Sequence, residues 1–336
     1  MSRATAVGLA RGGAFTAAAV AFPFVFPAAW IVNIGVLTLM YAALATAWNL
    51  FSGYTGYISL GQAAFFGLGA YALAITFEHV GAGSGYNPFY ALPLVGAGIA
   101  LASVPIAWVA LRTRHMTFAI VTLTLLFITQ QLAFNLRSLT HGSTGLMLPI
   151  PHFPISSYDR PFYFAMLAIL LVGLALCWLI LRSKLGLMLF AIRADEEKAR
   201  GLGIRVTGAK LVAWSLMAWL TAMVGGVWAY YLTFIYPESS IDPLVTIGAI
   251  LMTFLGGRGT LWGPTVGALV LVPAQQYMIT TLGASQFYLV GYAAVFMVVL
   301  LVLPRGILPS LRSAVDAQRE RQRIGRDPVV REKAAA

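Results

Sequence analysis

Nine charged side chains crowd into residues 183–210: Lys184, Arg193, Asp195, Glu196, Glu197, Lys198, Arg200, Arg205 and Lys210, with Arg182 just outside. The long apolar stretches on either side carry no charge. Charges this dense cannot lie in lipid, so the segment must face water, where its mixed signs could recognise a folded partner. Glu196 and Arg200 stand at i and i+4, an orientation that supports a surface helix by a few tenths of a kcal/mol. Ala199 permits close backbone approach, while Gly201 and Gly203 suit an abrupt helix end. An ordinary solvated loop helix has the same charge pattern, so the spacing alone leaves both readings open.

Catalytic chemistry finds little footing. The four histidines, His79, His115, His141 and His152, lack metal-ligand spacing, and the single Cys177 cannot form an intrachain disulfide. No G-x-x-x-x-G-K-[ST] phosphate loop is present, and the nearest glycine cluster, residues 53–71, has no lysine. The apolar stretches hold no acid–base pair, so no catalytic residue, metal or cofactor is expected in this chain. They also hold no carboxylate or ammonium for a coupling proton or sodium ion; a sodium site of carbonyls and hydroxyls alone stays open. If solute moves uphill, the energy must enter through another subunit.

The elements around these residues are membrane helices. Of the 336 residues 60% are hydrophobic and 10% charged, with a mean hydropathy of +0.83, which excludes a soluble enzyme. The expected fold is an all-α polytopic membrane protein with about ten transmembrane helices and one cytoplasmic helix in the charged segment. The apolar runs are 15–32, 35–51, 58–77, 89–111, 116–136, 162–181, 211–235, 244–255, 261–281 and 287–303. The first pair has almost no loop between its members, and the eighth is short for a bilayer that needs roughly 20 residues. Arg3 and Arg11 before an apolar run imitate a signal peptide, but no convincing cleavage site follows; the run reads as a retained span kinked by Pro23 and Pro27.

Alternating the loops puts 20 of the 22 Lys and Arg residues inside and leaves only Arg137 and Arg160 outside. Short connections agree, with Arg112, Arg114 and Arg258 inside and Glu78, Glu238 and Asp242 outside. Both termini of this multi-pass protein are therefore expected in the cytoplasm. The net charge of +11 reflects this bias and not a nucleic-acid partner. Arg319, Arg321, Arg323 and Arg326 in the tail either touch anionic lipid or stay solvated.

Two polar patterns sit within the apolar runs. Asn49, Ser52, Thr55, Ser59 and Gln62 are interleaved with glycines, as expected of a broken helix beside a translocation path or of a closely packed one. Thr113, Thr117, Thr124, Gln131 and Asn135 recur at intervals of 4, 7, 7 and 4. On one helix they fall within about 40° of one another, while Thr122, Thr129 and Gln130 point away. Such a stripe is either a seam against a neighbouring helix or one wall of a polar conduit.

Four blocks carry a family likeness: WNLFSGYTGYISLGQAAFFGLGAY (48–71), HGSTGL (141–146), GLMLFAIRADEEKARGLGI (186–204) and LGGRGTLWGPTVGA (255–268). In this order the chain resembles the LivM-type permease subunits of ABC importers for branched-chain amino acids and, more distantly, urea and amides. The resemblance implies that Arg193, Glu196, Ala199 and Gly203 match a coupling motif whose short cytoplasmic helix lies in a groove of the ATPase. It further implies two ATPase subunits holding ATP and Mg, a LivH-like second permease and an external solute-binding protein, all around the lipid bilayer of a bacterial plasma (inner) membrane. Residues 1–304 then form the permease domain with a coupling loop at 183–210, and 305–336 a cytoplasmic basic tail. Asn49, Thr55, Ser59, Gln62, Thr117, Thr124 and Gln131 become candidates for the path. Arg258 departs from the family pattern. The competing function is an ATP-independent channel or facilitator for a small neutral solute such as urea or an amide.

Overall fold

The computed structural model describes residues 3–80, 85–154, 157–282 and 306–311, with Met297 and Ser313. Its helices are α1 (Arg3–Val25), α2 (Ala29–Trp48), α3 (Gln62–Val80), α4 (Asn87–Ala110), α5 (His115–Asn135), α6 (Arg137–Thr140) and α7 (Asp159–Arg182). Then follow α8 (Lys184–Ala194), α9 (Glu196–Gly201), α10 (Val206–Leu232), α11 (Pro237–Ser240), α12 (Pro243–Gly256) and α13 (Gly263–Leu282). Strands β1 (Leu146–Met147) and β2 (Phe234–Ile235) pair antiparallel and tie the loop before α7 to the end of α10.

Six stretches among the described residues are long and apolar enough to cross a bilayer: Ala29–Gly53, Asn87–Ala110, Met116–Asn135, Asp159–Arg182, Val206–Leu232 and Pro237–Gly256. The chain is thus an all-α multi-pass membrane protein. Apart from Met297, the run expected at 287–303 lies outside the described residues, as does most of the expected tail, 305–336.

The first two expected spans need correcting. The helix ends not at residues 33–34 but at 26–28, and α2 runs straight through Asn33. Pro27 lacks the amide that would continue α1, so it terminates the helix instead of kinking it, whereas Pro23 is accommodated inside.

α2 does not end cleanly. It passes into a π-helical turn, Asn49–Gly53, and the chain then runs irregularly to the start of α3, turning at Gly56 with φ of +82°. A Cβ-bearing residue would be strained there. Beside this break stands α10, packed between α3 and α4. A Cβ at Gly69 would collide with the Ala222 carbonyl and one at Gly225 with the Phe66 carbonyl, so α3 and α10 approach backbone to backbone. Trp214 of α10 closes the core around the break, meeting Phe51 at 5.2 Å and Phe65 at 5.4 Å edge to face.

Candidate functional site

The charged segment folds as two short helices with a corner between them. Asp195 leaves the helical region at φ −163° and caps α9, its carboxylate accepting from the Glu197 and Lys198 amides at 3.0 Å each. Those backbone bonds, with the Lys198 side chain, hold its carboxyl below the usual carboxylate value. At the other end the Ile204 amide donates to the Ala199 carbonyl at 3.1 Å and the Gly203 amide to that of Arg200 at 2.9 Å. Gly203 closes this reversal at φ +81°. A Cβ at Gly203 would meet nothing within 4 Å, so backbone conformation and not crowding within the chain is what asks for glycine.

Glu196 faces inward. Its Oε2 accepts from Lys210 Nζ at 2.6 Å and from the Tyr57 hydroxyl, while Oε1 accepts from Arg200 at 2.8 Å. Lys210 is 1% exposed and its ammonium lies 3.9 Å from the centre of the Tyr57 ring. Burial opposes ionisation of Glu196, but the bonds from Lys210 and Tyr57 and the nearby Arg200 charge outweigh it and lower its pKa. Burial, reinforced by the bond to that carboxylate, pushes the Tyr57 hydroxyl up. Ala199, also buried, seats the same face of α9.

Arg193 makes a second link. Its Nη1 donates to the Gly53 carbonyl at 2.9 Å, at the end of the π-helical turn, and its stem lies against Gly56. Asn49 continues the connection: its Nδ2 donates to the Thr260 carbonyl at 2.9 Å and its Oδ1 accepts from the Gly259 amide at 2.7 Å. The segment α8–α9, the break after α2 and the turn between α12 and α13 are therefore stitched together by side chains. Arg258, in that turn, stands over the Phe254 ring at 5.3 Å. A carboxylate with three donors is poorly placed as an acid or base, but it is well placed to transmit displacement.

The structure gathers some expected path residues and separates others. Asn49, Thr55, Ser59 and Gln62 are all fully buried at the break. Thr55 donates to the Phe51 carbonyl at 2.8 Å, the Ser59 carbonyl accepts from Trp48 at 2.8 Å, and Gln62 donates to Leu44 and Thr221 at 2.8 and 3.1 Å. These bonds fasten the break on the side of α2 and α10. Thr117, Thr124 and Gln131 lie elsewhere, on the outer face of α5 with Asn135. Among the described residues no seam forms there. Thr113 drops out of the stripe because it precedes α5, whereas Thr122 and Thr129 occupy the opposite, buried face.

Sequence reasoning missed Tyr57 and counted Lys210 only as a loop charge. Lys210 is in fact one turn inside α10, where its charge is buried and needs a partner; Tyr57 carries no local signal. Among the described residues no three His, Cys, Asp or Glu side chains gather as a metal site.

The described residues thus form a helical membrane bundle in which a charged segment is tied, side chain by side chain, to a break in one spanning helix. Residues 30–304 match the family described as branched-chain amino acid transport system / permease component, and the chain belongs to it. It is 29% identical over 321 residues to the LivM permease proteins of the high-affinity branched-chain amino acid transport systems of Salmonella typhimurium and Escherichia coli. These alignments cover 88% of this chain and 73% of each relative. The ribose import permease protein RbsC of Bacillus subtilis is 26% identical over 141 residues, 40% of this chain and 44% of its own. No solved structure matches the chain.

Proposed function

We infer that the chain is the permease subunit of an ABC importer that carries branched-chain amino acids, or a related small polar solute, into the cytoplasm. The family match over residues 30–304 carries the reading. The substrate follows the names of the LivM relatives; a ribose permease among the more distant ones keeps other small polar solutes within the class. A self-sufficient channel or facilitator is not favoured by this company.

In this reading residues 1–304 are the permease domain, of about ten spans, and both termini lie in the cytoplasm. The tail, 305–336, is basic and cytoplasmic. Two ATPase subunits, holding ATP and Mg, dock against the cytoplasmic segment 183–210. A solute-binding protein delivers from outside, and a LivH-like permease completes the pore. Arg193, Glu196, Ala199 and Gly203 serve coupling, with Arg193 and Glu196 acting through the permease side: when an ATPase moves α9, they draw on Gly53 and Tyr57 at the break. Asn49, Thr55, Ser59 and Gln62 would then meet the path when the break opens. Thr117, Thr124 and Gln131 suit the wall facing the second permease, because an exposed polar stripe on a spanning helix is poorly served by lipid. Purification in mild detergent tests the reading: partner ATPases should accompany the chain, and a chain that transports without them would refute it.

A further inference from the structure

We propose that the cavity beside Arg160 binds a membrane phospholipid through its phosphate. Arg160 lies at the start of α7, at the end of the bundle opposite α8 and α9. The cavity, about 470 Å³, is walled by Tyr86, Phe89, Phe153, Phe164 and Ala165 besides Arg160 itself. That volume falls within the roughly 300–1,000 Å³ of small-molecule sites.

Three observations select the ligand. The first is an uncompensated charge: among the described residues no carboxylate lies within ion-pair distance of Arg160. Its neighbour Asp159 is engaged elsewhere, accepting from Tyr231 at 2.7 Å, with Asn33 in turn donating to Tyr231 at 2.5 Å. The Arg160 guanidinium stands instead over the ring of Phe24 at 5.6 Å. A guanidinium without a carboxylate is a forked donor suited to phosphate oxygens.

The second observation is depth. Phe24, Trp30, Tyr86 and Tyr90 are all exposed at this end of the helices, a ring of aromatics of the kind that marks the level of lipid headgroups. The third is the direction of the apolar wall. Phe164 and Ala165 continue from Arg160 into the first turns of the spanning helix α7, and Phe24 of α1 meets Phe164 at 6.1 Å. A cation at headgroup level with an apolar wall leading away from it fits an amphiphile, phosphate at Arg160 and acyl chain along α7. A free anion would leave that wall unused.

The test uses the assembled importer, delipidated in detergent and titrated with dioctanoyl phosphatidylglycerol in native mass spectrometry. Wild type should bind it and bind dioctanoylglycerol, which lacks the phosphate, far less. Arg160→Ala should weaken binding about tenfold, as expected for losing a charge-assisted bond, and Arg160→Lys should keep most of it. Ala165→Trp, which leaves the charge in place and narrows the wall, should also weaken binding and decides the matter if Arg160→Ala fails to assemble. Excess inorganic phosphate should not displace the lipid. Undiminished binding by Arg160→Ala, equal binding of dioctanoylglycerol, or displacement by inorganic phosphate would each overturn the assignment.

Discussion

The ammonium of Lys210, inside the first turns of α10, lies 2.6 Å from the Glu196 carboxylate on α9, fourteen residues away in sequence. Lys210 is 1% exposed on its side chain and Glu196 14%, so this is an ion pair largely removed from water. Removing one partner of such a pair leaves the other charge stranded, and that cost exceeds what the pair itself contributes.

Lys210→Met should therefore destabilise the permease by about 3 kcal/mol, at the lower end of the range because Arg200 and Tyr57 still serve Glu196. The readout is the thermal midpoint of the detergent-solubilised complex. Combining Glu196→Lys with Lys210→Glu restores opposite charges and should recover part of the loss. A double variant no better than the singles would show that the pairing contributes nothing.

Acid should release the same contact. The folded pKa of Glu196 lies below its ordinary value of 4.5, so its stabilisation is complete above that value and disappears as the pH falls through the depressed one. Between about pH 6 and pH 3 the gap in thermal midpoint between wild type and Glu196→Gln should narrow. A gap that stays constant contradicts the assigned ionisation.

On α5 the two glutamines should separate stability from transport. Gln130 donates to the Ile241 carbonyl at 3.1 Å within the chain, whereas Gln131 lies exposed on the outer face. Gln130→Leu should cost about 1 kcal/mol of stability. Gln131→Leu should leave the midpoint near wild type and lower uptake more at matched membrane expression. Equal uptake by the two variants removes the outer stripe from the path.

The charge bias predicts the orientation in the membrane. Reporters fused after Arg160 and after Lys210, at opposite ends of the bundle, should signal from outside and from the cytoplasm respectively. An external signal at the second site inverts the orientation.

Much of this was legible because local chemistry dictates it. The i,i+4 pair Glu196–Arg200 forms at 2.8 Å, and the glycine-rich first block is indeed a broken helix. What escaped depends on tertiary packing. The inward turn of Glu196 rests on Tyr57 and Lys210, and nothing local assigns a residue 139 positions away to its carboxylate. The outward turn of Thr117, Thr124 and Gln131 was invisible for a similar reason: periodicity places residues on one face without saying which way the face looks. The boundary near Pro27 was misjudged because the apolar run continues unbroken across it, and hydropathy does not register a missing amide.

The most direct measurement is uptake by the complex rebuilt in liposomes with its partner permease, ATPases and binding protein. Labelled leucine should accumulate above its outside concentration only when ATP is present at the ATPases, and Glu196→Lys should abolish that accumulation while the complex still assembles. Equilibration of solute without ATP, or ordinary accumulation by Glu196→Lys at wild-type expression, would contradict a permease driven through α9.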